Sequence, residues 1–420
     1  MRALKVILVG LLSLAVLAVL VVGGLFFLQR WQTDEQQAKL DAFYTPPAEI
    51  TGEEGDVIRS EPAPDWDVPG ATATRILYVT RDANTDVKRV AGGTVWIPTK
   101  AAEGDRKVVA WAHPTVGLGD SCAPSRTPKS LKLTNAWIQQ MAAEGWIVTA
   151  TDYSGLGTPE PFTYLEGEQE TTDVVNSVRA AAALPDARAG TQWGVYGHSQ
   201  GGHSALWTAT LAPAMAPDLE LVGAAAAAPA SDLYATINQQ WDQTLSWVIG
   251  PEVVVSWPDT YPDLEASDVV SDTGLGATES QAQDCLTDAG LFGLARQEVL
   301  KETYFKVNPY TNADWAAALE DQTPKPTKPS MPVFVGQGTA DEVVLANSTA
   351  AMQEQWCKAG SDLTMEWLGG VNHQNAGLTA GPAVVDWLAD RFAGKPTAPN
   401  CSQKPPVAPY EPTANDPPQP

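Results

Sequence analysis

Apolar and polar positions alternate in two ways along this chain. Over residues 71–80 and 89–97 they partly alternate one for one, as in half-buried antiparallel strands. Short apolar runs then appear at 108–112, 146–151, 193–196 and 219–228, the pattern of strands buried on both faces. Residues 131–143, 170–184 and 204–211 have helical spacing. After a long break the alternation resumes, with a strand at 331–335, a helix at 348–357, a strand at 363–368 and a helix at 382–392. Repeated strand–helix alternation predicts an α/β fold with a mostly parallel sheet covered on both faces. Within the break, residues 230–328, helix-like pieces at 232–248 and 281–301 dominate. That segment reads as an inserted cap, the alternative being a run of ordinary surface helices.

The ends differ from the middle. Residues 6–28 form an apolar run of about 23 residues, enough to cross a bilayer, preceded by Arg2 and Lys5. The charge asymmetry keeps the N-terminus cytoplasmic and exports the rest. The run is longer than a signal-peptide core and lacks a small-residue cleavage site. It is expected to be an uncleaved membrane anchor, with cleavage and secretion as the alternative. Residues 29–61 are polar, with Pro46 and Pro47, and read as a linker. The proline-rich tail 396–420 is expected to be disordered apart from any tether through Cys401. The resulting organisation is anchor 1–30, linker 31–61, core 62–229, cap 230–328, core 329–395 and tail 396–420.

At 420 residues and 44% hydrophobic content, the chain can bury a sizeable core in one large domain or two ordinary ones. A net charge of −24, from 50 acidic against 26 basic residues, argues against nucleic acid as a partner. Cys122, Cys285, Cys357 and Cys401 fit an exported protein, where disulfides persist. They lack C-x-x-C spacing, so no metal site is expected, and no cofactor either. Four cysteines allow three pairings that sequence alone does not choose between. The expected pairs are Cys122–Cys285 and Cys357–Cys401, against the alternative of buried free thiols.

The chemistry centres on Gly197-His198-Ser199-Gln200-Gly201, between the strand at 193–196 and the helix at 204–211. A serine on a strained strand-to-helix turn needs glycines on either side, because larger side chains would meet neighbouring backbone. Such a turn exposes the Ser199 hydroxyl. It also aims the Gln200 backbone N–H, near the positive end of the helix, at a developing oxyanion.

Serine needs a base and an orienting acid. On this fold they follow it in the order Asp or Glu, then His. Of four histidines, His113 precedes the serine, His198 sits on the turn and should point away, and His203 lies one helical turn on, as a packed residue would. His373 occupies the loop between the last strand and the last helix, where the base belongs. Asp341, in Gly338-Thr339-Ala340-Asp341-Glu342, is the expected acid, with Glu342 its nearest competitor. A second oxyanion donor is expected from His113-Pro114-Thr115-Val116-Gly117. Pro114 has no N–H, so Thr115 or Val116 supplies it, with Thr115 the named candidate. Gly119-Asp120-Ser121 resembles a motif of another esterase family but lacks its late D-x-x-H partner, so Ser121 reads as a loop residue beside Cys122.

With these motifs, the chain resembles the secretory lipase family typified by fungal lipase A, over about residues 108–392. The resemblance rests on Asp120-Ser121-Cys122-Ala123-Pro124-Ser125, on Gly145-Trp146 leading to Asp152-Tyr153-Ser154-Gly155-Leu156-Gly157, on the serine pentapeptide, on Gly338-Thr339-Ala340-Asp341 and on Asn372-His373. It implies an α/β-hydrolase with a helical cap, a lipid or other ester as substrate, and Ser199, Asp341 and His373 as a triad. Gln200 stands where the fungal pattern tends to have glycine, and the long apolar N-terminus replaces a simple signal peptide. A serine peptidase of the same fold and a non-catalytic surface-binding protein are the alternatives.

Overall fold

Of the computed structural model, residues 35–127 and 135–419 are described. The chain divides into units 1–45 and 46–420. In the first, residues 35–44 form helix α1, with Glu35 and Lys39 one turn apart and 3.7 Å between their charges. The apolar run expected to be the anchor lies outside the described residues. Among the described residues, no helix is long and apolar enough to cross a membrane.

The second unit is built on a nine-stranded sheet: β1 (Val57–Pro62), β2 (Ala71–Arg81), β3 (Lys88–Pro98), β4 (Arg106–Ala112), β5 (Ile147–Ser154), β6 (Ala189–His198), β7 (Glu220–Ala227), β8 (Val333–Gly338) and β9 (Leu363–Leu368). The order is β1-β2-β3-β5-β4-β6-β7-β8-β9. The first three strands pair antiparallel, and everything from β5 to β9 pairs parallel. Because strand side chains alternate between faces, each buried strand feeds two cores. Val108, Ala110 and Ala112 join one cluster, with Val174 and Leu206, whereas Val109 and Trp111 join the other, with Trp137 and Leu388. Helices α3 (Gly167–Ala183), α4 (Gln200–Met215) and α11 (Ala346–Ala359) therefore cover one face, and α2 (Asn135–Ala143) and α12 (His373–Phe392) the other.

β7 and β8 pair in parallel, Ala224 with Val333 through Ala227 with Gly336, so the intervening segment leaves at the C-terminal end of β7 and crosses back to the other end of the sheet to begin β8. It contains α5 (Leu233–Gln240), α6 (Ser246–Ser256), α7 (Ala266–Val269), α8 (Asp272–Gln283), α9 (Leu286–Leu294), a π-helical turn (Ala295–Leu300) and α10 (Ala313–Asp321). A third hydrophobic cluster holds it together. Trp247, Trp257 and Trp315 pack there with Tyr164 and Leu165 from the loop after β5.

The structure departs from the sequence reading in several places. β1 takes up the last five residues of the expected linker and pairs with β2. The helices expected at 232–248 and 281–301 are each broken, the first by turns between Gln240 and Ser246. α12 starts at His373, nine residues before its expected start, and carries Pro382 in its interior. The tail, expected to be disordered, is laid along the edge of β9. There the Asn400 backbone N–H donates to the Leu363 carbonyl, and its side chain bonds both N–H and C=O of Met365. Further on, Tyr234 donates to the Pro417 carbonyl. These contacts satisfy edge groups that composition alone cannot reveal. Both expected disulfides form, Cys122–Cys285 and Cys357–Cys401.

Candidate active site

Ser199 stands between β6 and α4 with φ 57° and ψ −117°, a left-handed conformation that a non-glycine residue adopts only when its surroundings impose it. The flanking glycines explain how the turn closes. A Cβ at Gly197 would lie 1.8 Å from the Gly201 carbonyl oxygen, and one at Gly201 would lie 1.9 Å from that of Ala112. Neither position admits any other residue.

A hydrogen-bonded chain runs from this serine. His373 Nε2 lies 2.9 Å from Ser199 Oγ, and His373 Nδ1 lies 2.9 Å and 3.0 Å from the two Asp341 oxygens. Asp341 accepts from the Val343 and Val344 backbone N–H groups at 3.0 and 2.9 Å, and from Gln337 Nε2 at 3.1 Å. Glu342 does not take this place; its carboxylate accepts from the His373 backbone N–H at 3.4 Å. Gln337 is in turn held by the Thr349 hydroxyl at 2.7 Å. The sequence reading missed Gln337, although Gly336 and Gly338 beside it mark a tight exit from β8.

The other histidines fall elsewhere. His198 packs its ring 4.9 Å from that of His373 and donates from Nε2 to the His373 carbonyl at 3.0 Å. Burial, and then the neighbouring His373, hold its pKa down at about 3, so it stays neutral. His113 is buried against the Pro114 and Asp152 carbonyls, and burial lowers its pKa. His203 is buried beside Glu170, a carboxylate the sequence reading did not single out.

Thr115, Ser199 and Gln200 line one cleft. Val116 packs with Cys122, Ala123 and Leu156. Gln200 is the first residue of α4, where backbone N–H groups have no partner within the helix. The cleft encloses about 890 Å³, counting the part open to solvent, and runs among Leu233, Ile237, Trp241, Ile249, Val253 and Trp257. Ser121 sits beside the Cys122–Cys285 disulfide. Among the described residues, no group of His, Cys, Asp and Glu is arranged to hold a metal ion.

Residues 127–400 match the sequence profile of the family described as Secretory lipase. Lipase 5 of Candida albicans is 27% identical over 390 residues, covering 86% of this chain and 82% of the relative. A protein of Mycobacterium tuberculosis named as a probable inactive lipase is 26% identical over 388 residues, covering 85% and 82%. The crystal structure of Candida antarctica lipase A in its closed state superposes with a TM-score of 0.69 at 19% identity, over 87% of this chain and 89% of that one. That likeness bears on the fold alone, which is the α/β-hydrolase fold expected from the sequence.

Proposed function

The chain belongs to the secretory lipase family and is a carboxylic-ester hydrolase; from that premise we propose that Ser199, His373 and Asp341 carry out the reaction through an acyl-enzyme. Ser199 Oγ attacks the ester carbonyl carbon while His373 Nε2 takes its proton. Asp341 fixes the ring and stabilises the imidazolium. The backbone N–H groups of Gln200 and Thr115 receive the oxyanion. His373 then protonates the departing alcohol. A water, deprotonated by the same nitrogen, releases the acid and restores Ser199. The observation that carries this reading is the unbroken Ser199–His373–Asp341 chain at one end of an apolar cleft.

The cleft suits an acyl chain, and residues 230–328 act as the cap that supplies most of its wall. Each buried methylene is worth about 0.8 kcal/mol, so kcat/KM should climb along a p-nitrophenyl ester series until the cleft is full. Replacing Ser199 by alanine should cut the rate by several orders of magnitude. A flat series, or full activity in Ser199→Ala, would overturn the assignment.

The relative named as probable inactive motivates a second reading, a binding protein that keeps the fold. It requires that the wild type turn over no ester at all. For location, the secretory family and two disulfides support a catalytic unit outside the cytoplasm. Residues 6–28 then serve as a membrane anchor or a cleaved leader, and N-terminal sequencing of the mature protein distinguishes the two.

A further inference from the structure

Gln200 presents a backbone N–H to the oxyanion, and its side chain is tied down. Gln200 and His203 lie three residues apart on one face of α4, and both reach the same carboxylate on the first turn of α3. Glu170 Oε1 accepts from Gln200 Nε2 at 3.0 Å, and Glu170 Oε2 lies 2.7 Å from His203 Nδ1. Glu170 and His203 are both 0% exposed, and Gln200 is 4% exposed. His203 Nε2 lies 2.8 Å from the Gln322 carbonyl. The Trp207 indole N–H lies 3.0 Å from the same nitrogen and 3.3 Å from the same carbonyl. Oε1 accepts from Gln200 while Oε2 faces His203.

Burying three such groups where apolar packing would serve carries a desolvation cost. The triad uses neither Glu170 nor His203, since His373 already occupies the position of the base. We propose that Glu170 and His203 are positioning residues that fix Gln200, and through it the backbone N–H that stabilises the oxyanion. The far end of the brace reaches the helical segment. Gln322 follows α10, and its side chain accepts from the Gly167 backbone N–H at 2.8 Å and donates to the Tyr261 hydroxyl at 2.5 Å. The first turns of α3 and α4 are thus locked to each other and to the end of that segment.

This inference rests on the ester-hydrolase reading, which Ser199-dependent turnover by the wild type tests separately. The experiment is a double-mutant cycle on Glu170→Leu and Gln200→Leu. It is read as kcat, KM and affinity for a trifluoromethyl ketone, which forms a tetrahedral oxyanion adduct with the serine. Losing an oxyanion donor outright costs about 10²–10³ in kcat, so misplacing one should cost roughly tenfold or more. Each single variant should show that loss, with KM within about twofold and ketone affinity falling in step. The double variant should be no worse than either single one. Glu170→Gln, which can still accept from Gln200 and hydrogen-bond with His203, should keep most of the activity. Gln200→Leu leaves the Glu170–His203 pair intact, so the test survives if Glu170→Leu does not fold. Unchanged kcat and ketone affinity in a folded Gln200→Leu variant would overturn the proposal. So would losses that multiply in the double variant.

Discussion

Ser199 occupies a backbone conformation, φ 57°, that costs a non-glycine residue of order 1–3 kcal/mol. The surrounding glycines and the β6–α4 junction impose that strain. Ser199→Gly should therefore be more stable than Ser199→Ala by about 1 kcal/mol. Urea denaturation of the two inactive variants checks this, and equal midpoints would count against strain at the nucleophile. The serine was legible in the sequence because its requirement is steric, and sterics select glycine at Gly197 and Gly201. Asp341 was expected as the acid from its place at the exit of β8, with Glu342 its nearest competitor. What the sequence did not show is how the carboxylate is held, by the backbone N–H groups of Val343 and Val344. Glu170 was invisible, since nothing along the chain says that an acid on α3 faces two residues of α4.

At the level of elements, the loop 113–118, proposed to supply the second oxyanion donor, is tied to the segment between β7 and β8. The Leu118 N–H donates to the Ala282 carbonyl, the Leu286 N–H donates to that of Val116, and Cys122 is bonded to Cys285. Gly117 lies so close to this strand of chain that a Cβ there would meet the Asp284 carbonyl oxygen at 2.2 Å. Replacing both Cys122 and Cys285 with serine should cost about 2–4 kcal/mol of stability, and should lower kcat more than it raises KM as the loop loosens. Chemical denaturation and steady-state kinetics measure the two effects, and a variant matching the wild type in both would contradict the coupling. The early start of α12 was missed for a related reason. The expected helix began at Pro382, yet the helix runs on before it, and Gly377 and Gly381 in that earlier stretch serve close packing. A Cβ would come within 3.1 Å of His198 at Gly377 and 2.8 Å of Trp137 at Gly381.

Across the whole molecule, the parallel core was legible because strands buried on both faces are uninterrupted apolar runs. The tail was not, because its attachment depends on single side chains such as Asn400, which bonds Met365, and Tyr410, whose ring packs against that of Tyr234. Nor does the sequence disclose the buried acids. Burial raises the Glu166 pKa from 4.5 to about 8, and burial alone pushes Glu252 well above its ordinary value. Between about pH 7 and 8 the folded state holds a proton on Glu166 that the unfolded chain has lost, while His113 and His198, lowered by burial and neutral when folded, are mostly deprotonated in the unfolded chain as well. Stability should fall as pH rises through that range, by up to about 1.4 kcal/mol per unit. Urea midpoints at the two ends of that range should show the fall, and Glu166→Gln should flatten it. An unchanged slope would refute the assignment. The triad itself is tested most directly by the intact mass of the protein after exposure to a fluorophosphonate. One adduct per chain should form, map to Ser199, and be lost in Ser199→Ala and strongly slowed in His373→Ala. A wild type that takes up no label, or a label that maps elsewhere, would contradict the account.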